Sequence, residues 1–485
     1  MGRRTNPSLK VNMVLNIIKS VMGVLFPLIT FPYITRVLGV ENIGRFTFAQ
    51  SVVSYFVLLA GLGVSTYAIR EAPVIRDDQE KMSRFSSEVF SINLVATVFS
   101  YLLMLVLLVI VPKFNDYSIL ILILSLQIIF KTIGLEWIFS VYEDFLFTTV
   151  RNILFQVISL AVLFLFVRQP GDLYLYTAIV VLTSAGAEIV NCVYVRRYCH
   201  ISFKWHQNLK KHMRPILTLF AMAAAVMIYV SIDITMLGFL CDDFTVGIYS
   251  VSVKVYTVLK TVASAALIVF IPRISLHIER RQTEQVNAVA SEAHNTMVTI
   301  LLPVAVGVFV LREEAIAFLA GAEYSEAVMS LAILCGSLVF CLLAGYWSQV
   351  ILIPFREEKS VLIATIISAI ANLVLNLLLI PLWQEKAAAL TTLLSEMIAF
   401  IYCYTCAKDK IQLNQAKETL LKVIIGCSAI VVIDYLVSLL SLSMILRTII
   451  VISCSMITYF GIEVILKNDA VISICKSVYA RIRKR

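Results

Sequence analysis

Two lysines lie inside long apolar segments of this sequence, each on a helical face of polar and small residues. The first face comprises Asn12, Asn16, Lys19, Gly23, Pro27 and Thr30, and the second comprises Gly247, Ser250, Lys254, Thr257, Thr261 and Ser264. At about 100° per residue, each set falls within an arc of roughly 80–100°. An ammonium group is costly in an apolar segment unless it faces a cavity or a partner. The spacing therefore predicts two cavity walls with Asn16, Lys19 and Lys254 as binding residues; helix–helix seams are the alternative.

Other ionisable residues extend this set of candidates. Lys131 follows Gln127 by one helical turn, and Glu188 shares a face with Ser184 and Asn191. A cation such as Lys131 is suited to an anionic ligand. The acids Glu136, Glu188 and Asp233 are candidates for ion coupling, or they pair with lysines as structural ion pairs. Lys260, Glu396, Asp434 and Glu463 are further charged residues in apolar surroundings.

The composition places these residues in a membrane. The chain has 485 residues, of which 60% are hydrophobic and 15% are charged. A soluble protein would be closer to half apolar and a quarter charged. The apolar runs are continuous and about 20 residues long, so they predict transmembrane helices rather than barrel strands. The fold class expected is therefore an all-α polytopic membrane protein.

A window of about 20 residues divides the chain into about fourteen spans. Their approximate limits are 11–34, 46–67, 86–111, 117–140, 146–167, 173–195, 214–238, 245–271, 289–310, 327–351, 359–381, 387–406, 419–440 and 443–466. With a cytoplasmic N-terminus, 29 of the 40 Lys and Arg residues fall in or near inner loops, 7 near outer loops and 4 within spans. Positive residues concentrate on the cytoplasmic side, so both termini are predicted to be cytoplasmic.

The basic stretch 196–213 divides the spans into groups. We expect an N-terminal six-helix lobe over 1–213, a second six-helix lobe over 214–410, and two further helices with a basic cytoplasmic tail over 411–485. A weak repeat supports this plan: Leu38-Gly39 and Gly44-x-Phe46-Thr47 resemble Leu237-Gly238 and Gly247-x-Tyr249-Ser250. A parallel repeat of this kind places the substrate site between the two halves.

No motif indicates an enzyme. HExxH, GxSxG, Walker and GxGxxG patterns are missing from suitable contexts, and the five histidines are scattered. The pair Cys403 and Cys406 has no second ligand pair, so neither a metal nor a cofactor is expected. The positive charge forms no patch with interleaved aromatic residues, which argues against nucleic acid as a partner.

The first two spans resemble the polysaccharide transporter family, the Wzx-type flippases of the multidrug/oligosaccharidyl-lipid/polysaccharide exporter superfamily. The resemblance rests on Phe31-Pro32-Tyr33-Ile34-Thr35-Arg36-Val37-Leu38-Gly39, on Leu62-Gly63, and on Tyr67-Ala68-Ile69-Arg70-Glu71. Asp233-Ile234-Thr235-Met236-Leu237-Gly238 and Val246-Gly247-Ile248-Tyr249-Ser250 add to it.

The resemblance implies a flippase that moves an undecaprenyl-pyrophosphate-linked oligosaccharide from the cytoplasmic to the outer leaflet of the bacterial plasma membrane. On this resemblance the lysines would bind the pyrophosphate, because an anion in a low-dielectric cavity needs cations nearby. Arg36 and Arg45 at the outer mouth, and Arg70 at the inner end of the second span, are further candidates; ordinary interface snorkelling is their alternative. A polysaccharide polymerase and glycosyltransferases are the implied partners, with membrane lipid.

Three rival functions remain open. A multidrug cation exporter of the same superfamily would favour a carboxylate in the first spans, where Lys19 has the opposite charge. A lipid II flippase shares both the fold and the pyrophosphate. A membrane-embedded glycan enzyme would be expected to have a large loop or a catalytic domain, and the predicted outer loops are short.

Overall fold

Helices form the architecture of this chain. The computed structural model describes residues 9–203 and 209–472, without the side chains of residues 9–14, 16, 17, 20, 24 and 266. The α-helices of that part are α1 (Leu9–Gly61), α2 (Val64–Glu71), α3 (Gln79–Ile110), α4 (Ser118–Gly134), α5 (Glu136–Val141), α6 (Phe145–Phe166), α7 (Leu173–Tyr194), α8 (Lys210–Leu240), α9 (Asp243–Ile268), α10 (Ile271–Glu279), α11 (Thr283–Val310), α12 (Arg312–Leu319), α13 (Ala327–Gly345), α14 (Glu358–Ala407), α15 (Ala416–Ser438) and α16 (Met444–Ile465). Short 3₁₀ turns and one π-helical segment, Tyr346–Leu352, complete the described elements.

The protein is a multi-pass membrane protein. Eleven helical segments within 9–203 and 209–472 are long and apolar enough to cross a membrane. Large apolar side chains project from these helices into the surroundings; Val109 is 85% exposed and Ile457 is 75% exposed. Such surfaces are stable in lipid, where each helix satisfies its own backbone hydrogen bonds.

Two of the eleven segments are too long for one crossing. The 53 residues of α1 and the 50 residues of α14 would extend about 80 Å and 75 Å, whereas the hydrocarbon core is about 30 Å thick. Each contains one residue with non-helical backbone angles, Gly39 (φ 78°, ψ 173°) and Gln384 (φ 51°, ψ −126°). Both residues lie in gaps between predicted spans, so α1 and α14 each comprise two helices.

The prediction of a helical polytopic protein is confirmed, whereas the number fourteen stays a prediction. If α1 and α14 are divided at their breaks, the eleven candidate segments of the described residues give thirteen possible crossings. The remaining predicted span, 245–271, coincides with α9, which is not among the eleven.

Contacts between Cα atoms divide the chain into two compact units, Met1–Gly247 and Ile248–Arg485. In the first unit, α1 packs against α3, α4, α6 and α8, and α4 packs against α7. In the second unit, α13 packs on α14, and α15 packs on both α11 and α16. The expected lobes 1–213, 214–410 and 411–485 stay predictions.

Candidate functional site

Five charged side chains from five helices form a cluster in the first unit. They are Lys19 on α1, Lys131 on α4, Glu136 on α5, Arg151 on α6 and Glu188 on α7. We call these five residues the N-terminal charge cluster. Four of them were predicted as site residues from the sequence, and the structure brings those four together with Arg151. Three cations and two carboxylates give the cluster a formal charge of +1.

A break in the backbone positions Glu136 in the cluster. Helix α4 ends at Gly134, Leu135 adopts a left-handed conformation (φ 48°, ψ 37°), and Glu136 begins α5. A left-handed leucine is sterically unfavourable, so its buried packing must hold it there. The break allows the chain to change direction just before the carboxylate that the cations share.

Glu136 contacts cations from two other helices. The Lys19 ammonium donates a hydrogen bond to Glu136 Oε1 at 3.0 Å, and Arg151 Nη2 lies 3.6 Å from the same oxygen. The side chain of Lys19 is 35% exposed, whereas that of Arg151 is 5% exposed. Arg151 is therefore the buried counter-ion, and Lys19 is the accessible one.

Glu188 is held by a second set of contacts. Lys131 Nζ lies 3.9 Å from Glu188 Oε1, and Asn191 donates a hydrogen bond to Glu188 Oε2 at 2.9 Å. The Arg151 guanidinium also donates to the Asn191 amide oxygen, which joins both halves of the cluster. Lys131 is 61% exposed. The cluster thus offers two accessible ammonium groups, from Lys19 and Lys131, supported by a buried arginine.

Arg151 was not predicted as a site residue. It was counted with the inner-loop cations because it stands close to the start of the predicted span 146–167. Arg151 lies inside that span, six residues after Phe145 at the start of α6, and this position could have identified it as a charged residue within the membrane. Asn16, by contrast, was predicted as a binding residue, and its side chain lies outside the described residues.

The second unit also contains a buried lysine–glutamate pair. Lys260 Nζ on α9 donates a hydrogen bond to Glu396 Oε1 on α14 at 3.2 Å, and Tyr256 donates to the same oxygen at 3.1 Å. The Glu396 side chain is 5% exposed. Lys254, the predicted binding residue, is half-buried on α9. Lys260 was predicted only at the edge of the polar face, and the structure shows that it contacts Glu396.

The three predicted arginines differ in their surroundings. Arg36 is exposed and donates to the Pro32 carbonyl of its own helix at 2.7 Å. Arg70 is exposed and pairs with the neighbouring Glu71 at 2.9 Å. Arg45 reaches another element: it donates to the Asp116 carbonyl at 3.1 Å, and its Nε lies 4.0 Å from Asp243 Oδ2. The structure does not bring these arginines into the N-terminal charge cluster.

Arg45 lines a polar cavity of about 420 Å³ in the first unit. The cavity is lined by Arg45, Lys113, Asp116, Tyr117, Asp242 and Asp243. Tyr117 donates a hydrogen bond to the Asp243 carboxylate. Hydrogen bonds from Thr245 lower the pKa of the Asp242 carboxyl, which keeps that group ionised near neutral pH. The cavity therefore carries both signs of charge.

Asp233 lies elsewhere in the first unit. It is buried on α8, two residues before Thr235, whose hydroxyl lies within hydrogen-bond distance of Tyr55 Oη (3.1 Å) and Ser51 Oγ (3.2 Å). Tyr55 and Ser51 belong to α1. Asp233 thus lies close to the hydrogen bonds by which α8 packs on α1.

The glycines of the predicted repeat meet in space. A methyl group added to Gly44 would lie 1.8 Å from the Asp243 carbonyl oxygen, and one added to Gly247 would lie 2.2 Å from the Val40 carbonyl oxygen. Each glycine therefore faces the carbonyl of the residue four positions before the other. We call Val40, Gly44, Asp243 and Gly247 the glycine clasp. Only residues without a side chain allow helix backbones to approach this closely.

Solved structures with the same fold are membrane transporters. The structure titled "Lipid II flippase MurJ, inward closed conformation" has a TM-score of 0.71 and 14% sequence identity, and the match covers 95% of this chain and 99% of that one. An inward-facing multidrug resistance MATE family transporter has a TM-score of 0.58 and 13% identity, over 82% of this chain and 98% of that one. At these identities, the likeness shows the fold alone.

Curated relatives share part of the sequence. A protein of Escherichia coli (strain K12) named "Putative O-antigen transporter" is 23% identical over 254 residues, which is 52% of this chain and 61% of that protein. A protein of the same name from Shigella dysenteriae is 22% identical over 237 residues, which is 47% of this chain and 58% of that protein. The chain thus matches about three fifths of the length of these relatives.

The sequence profile of one protein family covers more than half of the chain. The family is described as "Polysaccharide biosynthesis protein", and the match runs over residues 9–278. That range contains all five residues of the N-terminal charge cluster and all four of the glycine clasp. By this match the chain belongs to the Polysaccharide biosynthesis protein family.

Proposed function

We propose that this protein is a flippase that moves an undecaprenyl-pyrophosphate-linked oligosaccharide from the cytoplasmic to the outer leaflet of the bacterial plasma membrane. The glycan would serve the synthesis of an O-antigen, capsule or exopolysaccharide. Family membership, the names of the curated relatives and the transporter fold support this function. The same findings favour a transporter over an enzyme.

The N-terminal charge cluster is the observation that carries the proposal. A pyrophosphate is anionic, and moving it through a membrane requires cations in a low-dielectric space. Lys19 and Lys131 are accessible enough to bind it, and each of them also lies beside a carboxylate, Glu136 for Lys19 and Glu188 for Lys131. Exchange of carboxylate for phosphate would let the lysines bind the head group and later release it.

Other predicted residues have supporting roles in this proposal. Asn16 and Lys254 are proposed as further binding residues, and Arg45 in its polar cavity contacts the head group on the outer side. The exposed Arg36 and Arg70 interact with lipid phosphates. Asp233, Glu136 and Glu188 are the acids proposed for ion coupling. Both termini are proposed to be cytoplasmic, with a polysaccharide polymerase and glycosyltransferases as partners.

A deletion strain tests the function directly. In the native host, loss of the protein should stop export of one surface glycan while its lipid-linked repeat units accumulate facing the cytoplasm. Expression of the wild-type chain should restore export, whereas a Lys19→Ala and Lys131→Ala double variant should not. Normal surface glycans in the deletion strain, with peptidoglycan precursors accumulating instead, would reject this substrate in favour of lipid II.

A further inference from the structure

A buried histidine that the proposed site does not use lies at the start of α8. His212 Nδ1 lies 2.7 Å from Tyr67 Oη on α2, and His212 Nε2 lies 2.9 Å from Glu88 Oε2 on α3. The side chains of His212 and Glu88 are only 4% and 5% exposed. Three helices therefore meet at one imidazole, inside a hydrophobic cluster that also includes Phe85 and Trp137.

The hydrogen bonds of His212 persist in both protonation states. In the neutral ring, Nε2–H donates to the Glu88 carboxylate and Nδ1 accepts from the Tyr67 hydroxyl. After Nδ1 takes a proton from water, Nδ1–H donates to Tyr67 Oη once that hydroxyl rotates. Both ring nitrogens of His212 keep a partner in either state, and in the protonated state Glu88 balances the buried positive charge.

The charged groups around His212 are compatible with a positive charge on its ring. On α8, Lys211 Nζ lies 3.1 Å from Glu88 Oε2, but its side chain is 58% exposed and can move into water. On α2, Arg70 lies over the Tyr67 ring at 6.0 Å and pairs with Glu71. On α3, Glu88 is the charged group that faces the ring. A cationic His212 therefore gives Glu88 a buried counter-ion that does not depend on Lys211.

The network lies next to a hinge in the backbone. Between α1 and α2, Leu62 (φ 45°) and Gly63 (φ 73°) both have left-handed angles. A methyl group added to Gly63 would lie 2.9 Å from the Phe220 backbone nitrogen, so this break packs directly on α8. The Tyr67–His212 contact fastens α2 to α8 one turn beyond the hinge. A change in its strength would alter how firmly these two helices are held.

We propose that His212 is the binding site for a proton that couples to transport, with Glu88 as its counter-ion and Tyr67 as its second partner. This inference rests on the proposed function, since coupling requires transport. Proton binding strengthens the contact between α8 and α3 by converting a hydrogen bond to a neutral ring into an ion pair. Release of the proton weakens that contact and loosens α8 at the hinge.

Proton binding is tested without transport. The full chain, labelled with ¹³C-histidine and reconstituted in lipid nanodiscs, is titrated by NMR, and the His212 signal is assigned by its loss in His212→Gln. We expect this signal to respond to pH in the wild type and the response to change in Glu88→Gln, which removes the counter-ion. His277→Gln, which alters a histidine in the second unit, should leave the signal unchanged. A His212 signal that does not respond to pH, or whose response is unaffected by Glu88→Gln, would overturn the proposal.

Coupling is tested in proteoliposomes with undecaprenyl-pyrophosphate bearing one fluorescent sugar. A pH gradient should change the wild-type flipping rate about tenfold, and His212→Gln should flip slowly at a rate independent of the gradient. A monodisperse, normally melting His212→Gln variant that still responds to the gradient would refute coupling at this residue while leaving the flippase intact. Loss of flipping by the wild type itself would instead refute the proposed function, and with it the coupling.

Discussion

The two cations that contact Glu136 in the N-terminal charge cluster differ in exposure, and so in the roles they can have. Lys19 is partly exposed and contacts Glu136, whereas Arg151 is buried and contacts Glu136, Asn152 and Asn191. An accessible cation can exchange partners with a ligand, but a buried one mainly neutralises its neighbours. Replacing the two residues should therefore have different consequences.

Lys19→Ala should impair transport and leave folding intact. Glu136 keeps Arg151 as a counter-ion, so no carboxylate is left without a cation. Loss of one charged contact to the pyrophosphate is worth about 1.5–3 kcal/mol, or about 10- to 100-fold in flipping rate. Glycan export in the complemented deletion strain measures this effect. Lys422→Ala, which removes a lysine paired with Glu418 on α15, is the matched control and should export normally.

Arg151→Ala should destabilise the protein. It removes a guanidinium that is 5% exposed and leaves the Glu136 carboxylate and the Asn152 and Asn191 amides with fewer partners. Breaking a buried ion pair from one side costs about 3–5 kcal/mol. The melting temperature of the purified protein in detergent should fall clearly, with Arg151→Lys intermediate. An unchanged melting temperature together with lost transport would place Arg151 among the ligand-binding residues instead.

The candidate site could be predicted only in part, for a physical reason. Lys19 was recognisable because an ammonium in an apolar run is rare, and Glu136 and Glu188 because buried acids need partners. The pairing of Lys19 with Glu136 was not predictable, because 117 residues separate them and helical periodicity describes only one helix at a time. Lys260 and Glu396 illustrate the same limit, since neither residue was predicted as the partner of the other.

The helices could be predicted from the sequence better than the contacts between them. The breaks at Gly39 and Gln384 fall between predicted spans because the apolar runs are interrupted there by polar residues. The repeat around Gly44 and Gly247 was visible in the sequence, but it predicted a plan of repeated halves rather than a contact between these glycines. The glycine clasp depends on backbone approach, which no side-chain pattern specifies.

The glycine clasp leads to a prediction about helix packing. Gly44→Ala and Gly247→Ala each place a methyl group against a backbone carbonyl that cannot rotate away. Both should destabilise the protein by about 1–3 kcal/mol, and by similar amounts because the two contacts are reciprocal. Gly461→Ala on α16, where nothing lies within 4 Å, is the control and should be neutral or stabilising. Thermal unfolding of the three variants decides this; equal melting temperatures would show that the helices at the clasp can separate freely.

At the scale of the whole molecule, membrane thickness relates the helix count to the orientation of the chain. Because α14 comprises 50 residues, about twice what one crossing needs, its break at Gln384 must lie at a membrane surface if both halves cross. The predicted topology assigns that surface to the outside and the segment near Arg281 to the inside. These two positions therefore test the number of spans and the orientation together.

A single cysteine at each position, in a background without the ten native cysteines, makes the test. In intact spheroplasts, Lys386→Cys should react with a membrane-impermeant maleimide, whereas Arg281→Cys should react only after permeabilisation. Both native side chains are exposed, so burial does not hide either thiol. The reverse pattern would mean that the termini are outside, because every loop would change sides. Labelling of both positions from the same side would mean that an even number of crossings lies between them instead of the predicted three, and the predicted number of spans would then be wrong.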